Sequence, residues 1–144
     1  MNIESLLDKG VEAIAEGKIL SALSYFEKAF HLENSPVISS CYAFCIARER
    51  GEIKKAISLC KEAIEKEPQN SLHYLNLGRI YLLSNQKTEA IETFREGLRH
   101  QENQHIVDEL NGLGTRKPPL IPFLKRSNPI NRYLGIILGK LRLR

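Results

Sequence analysis

The residues best suited to chemistry in this chain are three cysteines, four histidines and scattered carboxylates. Cys41 and Cys45 stand four apart, so on a helix both thiols share one face and offer two ligands to a metal. A zinc site needs about four ligands, and His31, His73, His100 and His105 have no pair spacing that would complete the set. No glycine-rich phosphate loop follows a strand pattern, and no nucleophile elbow is present. Glu62, Glu65 and Lys66 fall at the spacing of a solvated helix face. These patterns predict no metal, no cofactor and no catalytic centre, so the protein is expected not to be an enzyme.

Helices are the elements that must carry these residues. The 144 residues fit one domain, with 42% hydrophobic and 26% charged side chains. Tryptophan is absent, Val and Thr are few, and Ala, Leu, Glu, Lys and Ile are abundant, a composition that favours helix over strand. Met1-Asn2-Ile3-Glu4 is not a basic region followed by an apolar run, and no stretch approaches the roughly 18 apolar residues of a membrane span. An odd number of cysteines without the spacing of a disulfide framework agrees with a reducing compartment, and the expected location is cytoplasmic. The net charge of +4 hides an asymmetry: residues 1–114 carry 13 basic and 17 acidic side chains, whereas residues 115–144 carry eight basic and none acidic.

A shift of 34 residues superimposes the chain on itself, giving copies at 3–36, 37–70 and 71–104. Ala22, Ala56 and Ala90 fall at equivalent places, followed four residues later by Phe26, Cys60 and Phe94, and three further on by Ala29, Ala63 and Gly97. Positions four and seven apart share a helical face, so each copy presents small, large, small to a neighbouring helix. Cys60 occupies a place where the other copies have Phe, which makes it a core residue. In the third copy Tyr74, Leu77, Gly78 and Tyr81 form the first helix's matching face, and Gly78 lets two backbones approach. Glu16-Gly17, Arg50-Gly51 and Asn85-Gln86 mark the reversals between paired helices, and Pro68 closes the second copy. After the third copy, Ile106, Val107, Leu110 and Leu113 are spaced for one short helix over 105–113, stopped by Gly112 and Gly114.

Over residues 3–104 this pattern resembles the tetratricopeptide-repeat (TPR) family, whose 34-residue unit runs bulky residue, Leu-Gly, Tyr, Ala, Phe, Ala, Pro. The third copy matches best; the second departs at Ser40, Ala43, Phe44 and Ala47, the first at Leu6, Lys9 and Ala13. The resemblance implies an all-α fold: an α–α superhelix, or solenoid, of three TPR helix pairs with 105–113 as a capping helix. It also implies a non-catalytic protein–protein interaction scaffold or adaptor, with the first helices lining a concave groove. Mapped onto this chain, that groove is Leu7, Val11 and Ile14, then Ile38, Cys41, Tyr42 and Cys45, then Leu72, Leu75, Asn76, Arg79 and Leu82. A subset of the family grips chaperone C-terminal carboxylates with Lys, Asn and Arg. At those places this chain has Leu7, Val11, Tyr42, Leu72 and Asn76. The expected ligand is therefore an apolar or amphipathic peptide segment.

The remaining residues divide into a Pro-rich linker, 115–128, and a basic amphipathic helix, 129–144, started by Asn128-Pro129. Ile130, Tyr133, Leu134, Ile137, Leu138 and Leu141 stand at helical spacing, with Arg132, Lys140, Arg142 and Arg144 mostly off that stripe. The Pro-Phe-Leu and Asn-Pro elements resemble the ends of small bacterial TPR proteins. Three roles are open for Arg132, Tyr133, Ile137, Lys140 and Leu141: docking on the chain's own repeats, docking on another protein or copy, or binding an anionic membrane surface. The last would make the protein a membrane-peripheral assembly factor. Nucleic acid is disfavoured, because the positive charge lacks interleaved aromatics.

Overall fold

The computed structural model describes residues 2–114, which contain seven helices and no strand. They are α1 (Ile3–Ala15), α2 (Ile19–Leu32), α3 (Pro36–Arg50), α4 (Ile53–Lys66), α5 (Ser71–Leu83), α6 (Lys87–His100) and α7 (Gln104–Gly112). Helices α1 to α6 belong to one compact unit ending at Gln101, and α7 to a second that begins at Glu102. The helices α1 to α6 form three successive pairs, α1–α2, α3–α4 and α5–α6. The linker 115–128 and the predicted helix 129–144 lie outside the described residues.

Two kinds of signal set the helix ends. Side chains cap the first helix of each pair: Asn2 Oδ1 accepts from Ser5 N–H at 2.8 Å, Ser35 Oγ from Ile38 N–H at 3.3 Å, and Asn70 Oδ1 from Leu72 N–H at 3.0 Å. The second helices α2, α4 and α6 have no side-chain cap, because they start straight out of a tight reversal. Each reversal places one residue in the left-handed region: Gly17 at φ +76°, Gly51 at +67° and Asn85 at +61°. Backbone bonds from Lys18 N–H to the Ala13 carbonyl and from Gln86 N–H to the Tyr81 carbonyl close two of these turns. In α7 the side chain of Asn103 accepts from His105 and Ile106 N–H, and Ile106, Val107 and Leu110 are buried.

Within a pair, the predicted small, large, small series is the buried seam. Ala22, Ala56 and Ala90 are fully buried, as are Phe26, Cys60 and Phe94. The facing residue on the first helix makes the seam close. A Cβ built at Gly10 would stand 2.6 Å from the Phe26 ring, and one at Gly78 would overlap the Phe94 ring more severely. Repeat 2 reverses the sizes. Phe44 occupies the equivalent of Gly10 and Gly78, and Cys60 occupies the equivalent of Phe26 and Phe94. Each pair thus carries one ring among these two positions, and in repeat 2 both Phe44 and Cys60 belong to the same buried cluster.

Between pairs the stack runs through α3, which packs on α2, α4 and α5. Every residue from Ile38 to Ala47 is buried, and these ten are all apolar or small apart from Ser39 and Ser40. A helix apolar all round is one surrounded by protein. Repeats 1 and 2 meet through Leu6, Ala29 and Ile38, with Tyr25 and Phe30 partly buried beside them.

The reciprocal ring predicts a non-additive pair. Gly78→Phe alone should be severely overpacked, and Phe94→Cys alone should lose about 3–5 kcal/mol as a cavity. Combined, they recreate the repeat 2 arrangement and should be markedly more stable than the sum of the two losses in urea melts followed by circular dichroism. Simple additivity would show that the two positions do not share one space.

Candidate peptide-binding face

The first helices α1, α3 and α5 carry the twelve residues expected to line a groove, and the structure divides them. Val11 is 56% exposed; Leu7, Ile14, Leu72, Arg79 and Leu82 are half-buried. Ile38, Cys41, Tyr42, Cys45, Leu75 and Asn76 are buried. Leu7, Ile14 and Leu72 pack against the same apolar cluster that contains Cys41, Tyr42 and Cys45, so these six are brought together. Ile38 instead joins Leu6 and Ala29 between repeats 1 and 2. Leu83, at the end of α5, adds a further 40% exposed apolar side chain. The predicted tail residues Arg132, Tyr133, Ile137, Lys140 and Leu141 lie outside the described residues.

The buried members are engaged in packing. The Tyr42 ring stacks on Phe30 with centroids 4.6 Å apart, and the Lys55 ammonium lies 5.9 Å from the centre of the same ring. Arg79 holds its guanidinium 5.6 Å from the centre of the Phe44 ring. All three cysteines are free thiols inside the protein. Burial pushes the Cys41 thiol up to about 11 and the Cys45 thiol to about 12, and it raises Cys60 further still. Thiols held protonated are poor nucleophiles and poor metal ligands. Among the described residues, no group of three or more His, Cys, Asp or Glu side chains is placed to hold a metal.

One polar constellation had no sequence signal. His73 of α5 is fully buried, and its Nδ1 lies 2.8 Å from Ser40 Oγ of α3. Its Nε2 lies 2.7 Å from Glu67 Oε1, in the turn before α5. Asn76 Nδ2 donates to Ser40 Oγ at 3.2 Å and to Cys41 Sγ at 3.8 Å. The directions follow from the groups. A carboxylate only accepts, so neutral His73 carries its proton on Nε2; Ser40 then accepts from Asn76 and donates to Nδ1. Serine, histidine and carboxylate in line resemble a nucleophile relay, but Ser40 is fully buried within a helix. A substrate would have to part α3 from α5 to reach it, so the chain acts as a polar link between repeats 2 and 3. Its members lie 33 and 36 residues apart, so no local pattern announces it.

The sequence model of the tetratricopeptide repeat matches residues 47–110. Over those residues the chain carries the tetratricopeptide-repeat pattern. Among curated relatives, it is 27% identical over 136 residues to the protein STIP1 homolog of Dictyostelium discoideum, an alignment covering 90% of this chain and 23% of that one. It is 26% identical over 111 residues to the DnaJ homolog subfamily C member 3 of Bos taurus, covering 74% and 22% respectively. The chain thus spans about a quarter of the length of the curated relatives it matches. Its fold is that of the Sgt2 TPR domain from Aspergillus fumigatus, with TM-score 0.59, 17% identity and coverage of 90% and 93%. It is equally that of the first TPR of Spaghetti (RPAP3) bound to an HSP90 peptide, with TM-score 0.58, 20% identity and coverage of 78% and 90%.

The polar link of this TPR array predicts acid sensitivity. Burial lowers the His73 pKa from its ordinary 6.5, against the opposing pull of Glu67. The hydrogen bond from His73 in turn holds Glu67 below its ordinary 4.5. The unfolded chain therefore binds protons more readily at both groups, and stability falls as pH drops. The histidine contribution is complete above about pH 6.5 and is lost below it; the glutamate contribution is lost only as pH falls further, below about 4.5. His73→Gln should flatten the decline in urea midpoint between about pH 7 and pH 5. An equal decline in parent and variant would remove His73 as its source.

Proposed function

We propose that this protein is a non-catalytic interaction adaptor that holds an apolar or amphipathic segment of another protein against the face shared by α1, α3 and α5. The observation that carries this reading is the apolar surface left on the first helices. Val11 and Leu83 are exposed, and Leu7, Ile14, Leu72 and Leu82 are only partly covered. Such a face, on rigid helices, suits a helical or extended segment laid along it.

The structures that share the fold supply a contrast. RPAP3 TPR domains are known bound to the HSP90 peptide SRMEEVD and the HSP70 peptide SGPTIEEVD, both rich in acidic residues. Family resemblance puts Leu7, Val11, Tyr42, Leu72 and Asn76 at the places that grip such tails. Three aliphatic side chains there cannot donate to a carboxylate, so the ligand chemistry supported is apolar. A second reading, a membrane-peripheral assembly factor, is favoured by the eight basic residues after Gly114. Among the described residues no helix is long and apolar enough to cross a membrane.

Binding and folding are tested at different residues. Val11→Asp and Leu82→Asp should each weaken partner capture at least about tenfold while leaving the melting curve near that of the parent, because these side chains are exposed or half-buried. Tyr42→Asp and Leu75→Asp, at 4% and 3% exposure, should instead lower the melting midpoint. Leu20→Asp, at a 68% exposed site on a second helix, should change neither. Capture that survives Val11→Asp and Leu82→Asp but fails with Leu20→Asp would move the site off the first helices. Salt-sensitive sedimentation with anionic vesicles, lost on deleting 129–144, would favour the membrane reading.

A further inference from the structure

We propose that the segment held by the first-helix face is a cationic amphipathic helix of another protein, with Lys or Arg along the edge of its apolar stripe that lies over α1. This rests on the face proposed above and names the chemistry of its partner. On α1, Glu4, Asp8 and Glu12 are all exposed and recur every four residues, forming one acidic stripe. At about 100° per residue, Glu4 and Asp8 lie within about 60° of the exposed Val11, whereas Lys9, the one cation of α1, lies about 160° away. Leu7 and Ile14 fall on the other side of Val11, where they pack against the cluster that holds Cys41 and Tyr42 of α3. The carboxylates therefore form the outer rim of the face, on the side away from α3. Among the described residues none of the three is in an ion pair.

The charge is graded across the face. Helix α5 carries neither Asp nor Glu, and its half-buried Arg79 holds its guanidinium over the Phe44 ring. Arg48 and Glu49, both exposed near the end of α3, offset each other. An occupant lying on Val11 thus meets three carboxylates along one edge. A cationic edge there gains three exposed ion pairs, a neutral one gains none, and an acidic one is repelled. Exposed pairs are individually weak, so the apolar stripe supplies most of the affinity, while the charges select among apolar segments and set which edge lies over α1. The same rim repels anionic lipid headgroups, which argues against a membrane as the occupant of this face.

Two fluorescein-labelled peptides of about 18 residues, alike in a Leu stripe at helical spacing and differing only in Lys or Glu along one edge of it, test this. They are titrated into the full-length protein and read by fluorescence anisotropy. The Lys peptide should bind at least about tenfold more tightly than the Glu peptide at about 50 mM salt, and the ratio should shrink at about 0.5 M. The whole chain carries +4, so general attraction favours the Glu peptide and only local charge favours the Lys one. Glu4→Lys, Asp8→Lys and Glu12→Lys together should reverse the preference. Glu62→Lys, Glu65→Lys and Glu92→Lys, an equal change of charge on second helices, should leave the Lys peptide ahead. If the first triple variant loses its helical circular dichroism, Asp8→Asn with Glu12→Gln keeps the side-chain shapes and should still cut the ratio at least about threefold. Equal affinity for both peptides, lost in Val11→Asp with Leu82→Asp, keeps the face and overturns its cationic partner. Binding unchanged in Val11→Asp with Leu82→Asp overturns the face itself. Affinity raised at least about tenfold by the uncharged pair Ile137→Ser and Leu141→Ser would assign the face to the chain's own residues 129–144. A parent sedimenting at twice 16.4 kDa, with Val11→Asp at 16.4 kDa, would assign it to a second copy. Phosphatidylglycerol vesicles that sediment the parent but not Val11→Asp would assign it to a membrane. Any of these three overturns the proposal.

Discussion

A phenylalanine ring lying on bare glycine backbone sets how closely the two helices of a repeat approach, and the rest of the array follows from that distance. With Phe26 over Gly10 and Phe94 over Gly78, the helices stand where no Cβ fits between them. The alanines on either side of each ring, Ala22 with Ala29 and Ala90 near Gly97, are small because the same approach leaves them no room. Repeat 2 carries its ring on the other helix, with Phe44 and the small Cys60 both in the same buried cluster. One ring per pair, and not the identity of any one position, is what the three repeats share.

Given such pairs, the stability of the stack depends on how each joins the next. The two joints are chemically different. Repeats 1 and 2 meet through Leu6, Ala29 and Ile38, with the Arg50–Glu27 ion pair at 3.2 Å on the exposed side. Repeats 2 and 3 add the hydrogen-bonded chain from buried Asn76 through Ser40 and His73 out to the part-exposed Glu67. Hydrogen bonds of fixed direction allow only one register, which apolar contact alone does not enforce. That specificity brings a titratable group, His73, into the interior.

The binding face is what remains after these demands are met. The α3 residues on it are already committed, Tyr42 to Phe30 and Cys41 to Asn76, so they shape the surface more than they extend from it. The side chains that solvent reaches come from α1 and α5, at the two ends of the array. Part of their apolar surface is left exposed at Val11 and Leu83. The acidic stripe of α1 borders that surface, and charge there is cheap because it stays in water.

Among the described residues, the three helix pairs, their reversals and the buried seam were legible in the sequence, because each depends on residues within one or two turns of one another or on a fixed 34-residue period. Gly17, Gly51 and Asn85 mark reversals by their own backbone preference, and Ala22, Phe26 and Ala29 mark a face by spacing alone. The exchange of sizes between Phe44 and Cys60 could have been found by setting Gly10 and Gly78 beside Phe44, although only Gly78 stands out when one copy is read singly. The link between His73 and Ser40 was not legible. A buried polar contact is decided by which side chains meet across the stack, and neither residue differs locally from an exposed one. The division of the binding face into buried and accessible residues had the same origin. Periodicity assigns a residue to a face, but only the neighbours packed on that face decide how much of it water still reaches.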